Sequence, residues 1–409
     1  MTGPTDLPTL PGARFAGLLD DARALQEKTV DLRRAVHRLP EQGLQLPRTQ
    51  AAIRTALADL PLEITEGKST TSLTAVLRGA RPGPAVLLRG DMDALPLQED
   101  TGLDFASDVE GTMHACGHDT HVAMLASAAR LLAARRDELA GSVVFMFQPG
   151  EEGHHGARFM IHEGVLDAAG SRVTRAFGLH IIANVRSGLI QTAPGPIMAS
   201  ADSFSVRVTG KGGHGSAPHH AIDPVPAAAA MVGALQTMVT RRISVFEPAV
   251  VSVTRIEAGT TTNIIPETAV LEGTIRTLSE ETRALVRTEL PKVCEAIGAA
   301  HGCRVLADIE PGYPVTVNDE GVAREVLSIA EAALGPDNVE MISSPLMGAE
   351  DFSYVLQRVQ GAYAFLGGRP DGVEPEDAAP NHSNRVIFDE AAMASGVALY
   401  TAFAVDALR

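Results

Sequence analysis

At 409 residues the chain exceeds one compact core and suits about two domains. Its hydrophobic share of 45% and charged share of 21% are globular values and exclude wholesale disorder. A net charge of −16 with a pI near 5.3 excludes a nucleic-acid backbone as partner, because phosphate recognition needs a basic surface.

Cys116, Cys294 and Cys303 are too few and too widely spaced for a disulfide framework, and a reducing compartment follows as the simpler expectation. Neither a secretory signal nor an apolar run of about 18 residues is visible, so a cytoplasmic protein without membrane partners is expected. The first dozen residues, MTGPTDLPTLPG, are rich in proline and glycine and are expected to be unstructured. Apolar residues at helical spacing, among them Leu18, Ala22, Leu25 and Val36, predict one helix over 17–39 that Pro40 stops. A second helix is expected over 48–60. The short apolar runs AVLLR (85–89), SVVFMF (142–147) and AFGLHI (176–181) read as buried strands, with helices over 119–138 and 156–164 between them. This alternation predicts an α/β layer with a mostly parallel sheet. Ligands in such sheets bind beyond the carboxyl ends of the strands. Asp91 and Asp93 follow the first run, Glu151 and Glu152 follow the second, and His180 stands near the end of the third.

From about residue 190 the texture changes. SFSVRVTG (203–210) alternates as a half-exposed strand does. A helix over 223–240, strands over 249–259 and 268–278, a helix over 279–301 opened by Ser279, and a strand over 303–310 follow. The order β-α-β-β-α-β is the ferredoxin-like unit. It predicts a domain inserted over 190–312, with 1–189 and 313–409 forming the α/β domain. That texture resumes with helices over 319–334 and 351–358, a strand over 362–368, a polar loop over 369–385 and a last helix over 389–408.

Four segments concentrate metal-type ligands: MHACGHDTH (113–121), QPGEEGHHG (148–156), GLHI (178–181) and APNHSNR (379–385). Transition metals take thiolate, imidazole and carboxylate donors, and the Cys116-x-His118 step holds two of these close together before a helix. A buried cysteine beside a helix-capping His–Asp pair is the alternative. In Glu151–Glu152, one carboxylate of an extended pair can hold metal while its neighbour faces substrate as a base, the division that metal-assisted hydrolysis needs. A solvated acidic turn is the alternative there. His180 alone would read as a satisfied core histidine and His382 as a loop residue. Three of the four segments fall at strand ends of one sheet, and this joint placement points to a site.

The ordered segments RGDMDALPL (89–97), MHACGHDTH (113–121), FQPGEEGHHGA (147–157), GLHI (178–181), GKGGHGSAP (210–218), TTNIIPE (261–267), GAEDFSY (348–354) and NHSN (381–384) closely resemble the hippurate hydrolase and auxin-conjugate hydrolase branch of the aminoacylase/carboxypeptidase metallopeptidase family. The resemblance runs from about His37 to His382. It implies two divalent metal ions (Zn, Mn, Co or Ni), with Cys116 bridging them and His118, Glu152, His180 and His382 completing the ligands. It implies Glu151 as general base and acid, and Asp93 as a residue that orients or polarises a ligand. The inserted domain is similar to the family's lid and dimerisation domain, so a homodimer is expected. His214 matches the histidine that stabilises the oxyanion in the partner subunit's site, although as a residue in a glycine-rich loop it also reads as a turn. Asn263 and Arg276 match positions used for the substrate carboxylate. An arginine fork suits a carboxylate, and a surface arginine is the alternative for Arg276. The implied substrate is a small N-acyl amino acid. The sequence departs from the branch at Gly150, at His154–His155 and at Asn184 without removing an implied ligand. A carboxypeptidase or dipeptidase is the rival of similar chemistry, and a non-catalytic binding protein is the rival of another class.

Overall fold

The computed structural model describes residues 14–409. The N-terminal dozen expected to be unstructured lies outside the described residues. The chain divides into two compact units. The first comprises the residues up to Gly195 together with Val317–Ser343 and Tyr354–Arg409, and the second comprises Pro196–Thr316 with Ser344–Ser353.

An eight-stranded sheet organises the first unit, in the order Leu62–Glu66, Leu73–Arg78, Ala140–Gln148, Arg81–Asp91, Val173–Arg186, Gly361–Arg369, Ile190–Thr192, Val339–Met341. The four middle strands, from Ala140–Gln148 to Gly361–Arg369, are mutually parallel. They carry apolar residues on both faces, such as Val86, Leu87, Leu88, Val143, Val144 and Phe145, all fully buried, because helices cover both sides. The helix Met393–Ala407 is apolar around its circumference and buried along almost its full length. The helix His118–Ala134 is buried in the same way over its first dozen residues. Parallel strands put their carboxyl ends on one edge, and this edge gathers the segments beginning at Asp91 and at Pro149.

The second unit holds a four-stranded antiparallel sheet in the order Ala249–Ala258, Thr268–Thr277, Asp202–Thr209, Arg304–Pro311, with the helices Pro224–Arg242 and Glu280–Ala300. In chain order these strands occupy places 4-1-3-2, the ferredoxin-like arrangement. Phe204, Val206 and Val208 alternate inward from the first of them onto Met231, Leu235 and Leu290 of the two helices. Ser279 caps the second helix by accepting from the Thr282 N–H. The buried carboxylate of Asp202 takes a two-point bond from Arg283 at 2.8 and 2.6 Å.

Two local expectations change, and one strand pair is added. The single helix over 17–39 is two, Leu18–Ala24 and Gln26–Arg38, because Leu25 serves as C-cap of one and N-cap of the other. Leu62–Glu66 and Leu73–Arg78 are an antiparallel pair that extends the sheet, where the short and mostly exposed ITE stretch gave no period-2 signal. His180 lies inside its strand, not near its end, because pairing with Gly361–Arg369 continues to Arg186.

A buried charge network ties the helix Gln26–Arg38 to the start of the helix His118–Ala134. The Asp119 carboxylate accepts from Arg33 Nε at 2.9 Å and lies 2.8 Å from His37 Nδ1, while His37 Nε2 is 3.3 Å from Glu99. Burial lowers the His37 pKa, but the charge of Asp119 and the hydrogen bonds to Asp119 and Glu99 outweigh it and place the value at about 9 instead of 6.5. The folded pKa is thus raised, so the stabilisation is complete below about pH 6.5, declines as the pH rises, and is gone above about 9. Melting curves between pH 6 and 9 will show a steeper fall in unfolding temperature for the wild type than for His37→Gln, which starts lower and stays flatter. Equal slopes would remove His37 from this account.

Candidate metal centre

The corner that starts the ligand helix is Cys116–Gly117–His118. Gly117 has φ 90°, and a Cβ on it would come within 2.4 Å of Ile181 Cγ2, so only glycine turns the chain here. The turn brings the Cys116 thiol and the His118 ring to one place. Glu151 and Glu152 follow a similar corner at Gly150, where φ is 71° and a Cβ would lie 2.5 Å from Leu44. This turn is closed by Gly153 N–H donating to the Glu151 carbonyl at 2.8 Å and by Gly156 N–H donating to the Gly150 carbonyl at 3.0 Å.

Asp93 joins the two corners. Its carboxylate accepts the Glu151 N–H on Oδ1 at 2.9 Å and the Glu152 N–H on Oδ2 at 3.0 Å, and its carbonyl lies 2.8 Å from His118 Nδ1. A carbonyl only accepts, so Nδ1 carries a proton; burial opposes a charged ring, but the charges of Asp91 and Cys116 outweigh it and hold the His118 pKa well above the imidazole range, so an ion at Nε2 displaces a proton.

The sequence-predicted ligands are brought together. Cys116 Sγ lies 3.7 Å from His180 Nε2 and 3.1 Å from His382 Nε2. Glu152 Oε1 lies 3.2 Å from His382 Nε2 and 4.0 Å from His118 Nε2. Glu151 shares the His118–Glu152 group, whose ligand atoms all fall within 4.8 Å of one another. Cys116, His118 and Glu151 are buried, while His382 is 54% exposed and forms the open side.

This arrangement fits divalent metal. Among the described residues His118 Nε2 and Glu152 Oε1 are buried polar atoms without a well-aligned hydrogen bond, facing only other ligand-type atoms, Asp91 and His382 among them. Such orphans carry a desolvation cost that a metal ion removes. The donor set of thiol, imidazoles and carboxylate suits transition metals better than calcium or magnesium. Burial raises the Cys116 thiol above its ordinary value, and burial together with His121 holds His180 well below the imidazole range, hence neutral and fit to ligate. Hydrogen bonds to Cys116 and Glu152 raise His382 to about 10, so ion binding there displaces a proton.

Two buried groups around the centre, His121 and Asp91, belong to the segments singled out in the sequence but have no role implied there. His121 Nε2 accepts the Ile181 N–H at 2.8 Å, which forces the proton of the neutral ring onto Nδ1, 2.5 Å from Asp91 Oδ1. Asp91 Oδ2 accepts from Arg89 at 2.6 Å and stands 3.4 Å from His118 Nε2. Two signals for them exist in the sequence. Arg89, Asp91 and Asp93 fall at i, i+2 and i+4 and line one face of a strand, and His118 and His121 are one helical turn apart.

The remaining predicted residues lie in the second unit. His214 pairs with Ile264 across two short strands, and Gly215 N–H donates to the Asn263 carbonyl at 2.8 Å, so His214 and Asn263 are neighbours. His214 Nδ1 accepts the Ser216 N–H at 3.1 Å, leaving an Nε2–H donor on an exposed ring. Arg276 is half-buried on the strand Thr268–Thr277, with Nη1 engaged by Thr274 and by the Ile275 carbonyl, and burial lowers its pKa.

Comparison with known proteins places this geometry. The profile of peptidase family M20/M25/M40 matches residues 87–406. The chain is similar to thermostable carboxypeptidase 1 of Saccharolobus solfataricus, with 39% identity over 95% of this chain and 97% of the relative. It is similar to hippurate hydrolase of Campylobacter jejuni, with 34% identity over 96% of this chain and 100% of the relative. Among solved structures it resembles a dinuclear metal-binding peptidase of the M20 family from Bacillus subtilis, with TM-score 0.81, 34% identity, and coverage of 94% of this chain and 99% of that one. With these matches along nearly its whole length, and with a buried cluster of metal-type donors at the strand ends, the chain belongs to peptidase family M20/M25/M40 and is a metal-dependent hydrolase.

Proposed function

We propose that the chain hydrolyses the amide bond of N-acyl amino acids, releasing a carboxylic acid and a free amino acid. The observation that carries the reading is the adjacent Glu151–Glu152 pair, hung by both backbone amides from one buried aspartate beside a thiol–imidazole cluster. Cys116, His118, Glu152, His180 and His382 would hold two divalent ions, which when bound supply Lewis acidity and acidify water. Glu151 takes the proton of the attacking water and delivers it to the leaving nitrogen, so no charged amide nitrogen has to depart. His214 offers Nε2–H to the developing oxyanion, a role that places it in the site of a second subunit of a homodimer. Arg276 and Asn263 bind the carboxylate of the amino-acid half. Among the described residues Arg276 hydrogen-bonds only through Nη1, which leaves Nε and Nη2 for a substrate. The similarity to a hippurate hydrolase supports an acylated amino acid as substrate. The similarity to a carboxypeptidase supports a second reading, cleavage of short peptides from the carboxyl end by the same residues.

Release of free amino acid from N-acetyl and N-benzoyl amino acids, compared with dipeptides, separates these readings. Cleavage of the acyl substrates is expected, abolished by chelator and restored by Zn, Mn, Co or Ni. Turnover of dipeptides alone would favour the peptidase reading.

Glu151→Gln and Asp93→Asn are expected to fail differently. The first keeps its metal content and loses at least about a hundredfold in kcat. The second loses metal affinity by about ten- to a hundredfold, because an amide cannot accept two backbone N–H groups on two oxygens. Metal analysis beside the kinetics distinguishes them. Glu151→Gln at full rate, or Asp93→Asn with unchanged metal affinity, would sink the corresponding role.

The role of His214 in a partner subunit predicts a dimer mass in light scattering. It also predicts partial recovery of activity when an inactive Glu151→Gln protein is mixed and refolded with an inactive His214→Ala protein. A fully active monomer at nanomolar concentration would exclude the role.

A further inference from the structure

The turn that carries Glu151 and Glu152 runs on through His154 and His155 into the helix Gly156–His162. This segment walls a cavity of about 570 Å³, a size suited to a small molecule. Two guanidiniums, Arg158 and Arg358, and the imidazoles of His155 and His162 stand in its wall beside the apolar Leu44 and Phe159. Among the described residues no carboxylate lines it, in a chain whose net charge is −16. None of the residues of the metal centre lines it either, nor does Glu151. Phe159 is 37% exposed, so a large ring remains partly uncovered in the same wall as the two guanidiniums.

The cations are organised in advance. Arg358 Nη1 donates to the Tyr354 carbonyl at 2.7 Å, the Arg158 guanidinium lies over the Tyr354 ring at 5.5 Å from its centroid, and His155 Nδ1 is 3.0 Å from the Tyr354 hydroxyl. One tyrosine therefore fixes three of the polar groups. His155 holds a left-handed backbone with φ 58°, and the only other described non-glycine residue with positive φ is His382 of the metal centre. Side chains adopt this conformation at a cost, and such residues persist where their surroundings over-determine them, commonly at binding sites.

We propose that this cavity is a second binding site, distinct from the metal centre, for a small organic anion with a carboxylate on an apolar body. Guanidinium forks match carboxylate geometry and bind it with charge-assisted hydrogen bonds. The apolar body covers Phe159 and Leu44, which inorganic anions would leave exposed. Because Gly156 N–H donates to the Gly150 carbonyl across the intervening turn, a ligand that grips His155 and Arg158 also steadies the backbone of Glu151 and Glu152.

The test is a fluorine-NMR titration of the full-length, zinc-loaded protein with 4-fluorobenzoate. Saturable binding is expected, with the uncharged 4-fluorobenzamide at least about tenfold weaker. The double variant Arg158→Ser/Arg358→Ser loses at least about tenfold in affinity for the benzoate, and Phe159→Ser, which leaves both cations in place, weakens both probes. Cys116→Ser, which disables the metal centre, keeps the binding. Unfolding temperatures confirm that each variant is folded. Binding lost in Cys116→Ser but kept in the arginine variant would put the probe at the metal centre and overturn the proposal. Equal affinity for benzoate and benzamide, or no saturable binding to the wild type, would also overturn it.

Discussion

The centre hangs on the bonds made by Asp93. A carboxylate that is 1% exposed carries a desolvation cost of several kcal/mol unless its oxygens are well used. Here each oxygen accepts a backbone amide, from Glu151 on one side and Glu152 on the other, and the carbonyl of the same residue takes the His118 Nδ1 proton. Three independent pieces of chain, the end of one strand, the turn after the next and the first turn of a helix, are thereby held to one point. The two glutamates cannot shift relative to His118 without breaking charge-assisted hydrogen bonds, each stronger than an ordinary one. Both side chains then reach the same group of ligand-type atoms as His118.

Two further buried networks support this point from outside. Arg89, Asp91 and His121 run from the strand Arg81–Asp91 to the backbone of Ile181, beside His180. Arg33, His37 and Asp119 run from the helix Gln26–Arg38 to the residue after His118. Each starts next to a candidate ligand and ends on a different element, so the ligand helix is pinned at both sides of its first turn. Removing one member would leave an uncompensated buried charge, which costs about 3–5 kcal/mol. This explains why a catalytic edge, where loops usually tolerate change, is here surrounded by fully buried arginines.

The chemistry-bearing segments were legible because metal donors are scarce residue types whose clustering at strand ends stands out against an apolar background. The ferredoxin-like order was legible because strand and helix periods differ and Ser279 marks its helix start. What escaped reading depends on partners distant in sequence. Nothing near Asp91 announces that His121 will sit 2.5 Å away, or that Ile181 N–H will decide the tautomer of that ring. The extent of the strand through His180 is set by its neighbour Gly361–Arg369, not by its own residues. Leu25 has no helix-breaking chemistry, so the division of the first helix into two lies beyond local propensity.

Three histidines show how the fold assigns protons without relying on other side chains. His118 is fixed by a backbone carbonyl at Nδ1, His121 by a backbone N–H at Nε2, and His214 by a backbone N–H at Nδ1. A backbone group cannot change its donor or acceptor character, so the nitrogen it touches has a fixed role in each ring. The consequence differs with the edge that remains. His118 presents Nε2 to the cluster of ligand-type atoms. His121 presents a proton to Asp91 and so acts as a connector. His214 presents its Nε2–H on an exposed ring. One residue type thus presents three different edges, selected by which backbone atom the local chain path brings to the ring. The path itself depends on corners such as Gly117, so the proton pattern of the centre is written as much in its glycines as in its histidines.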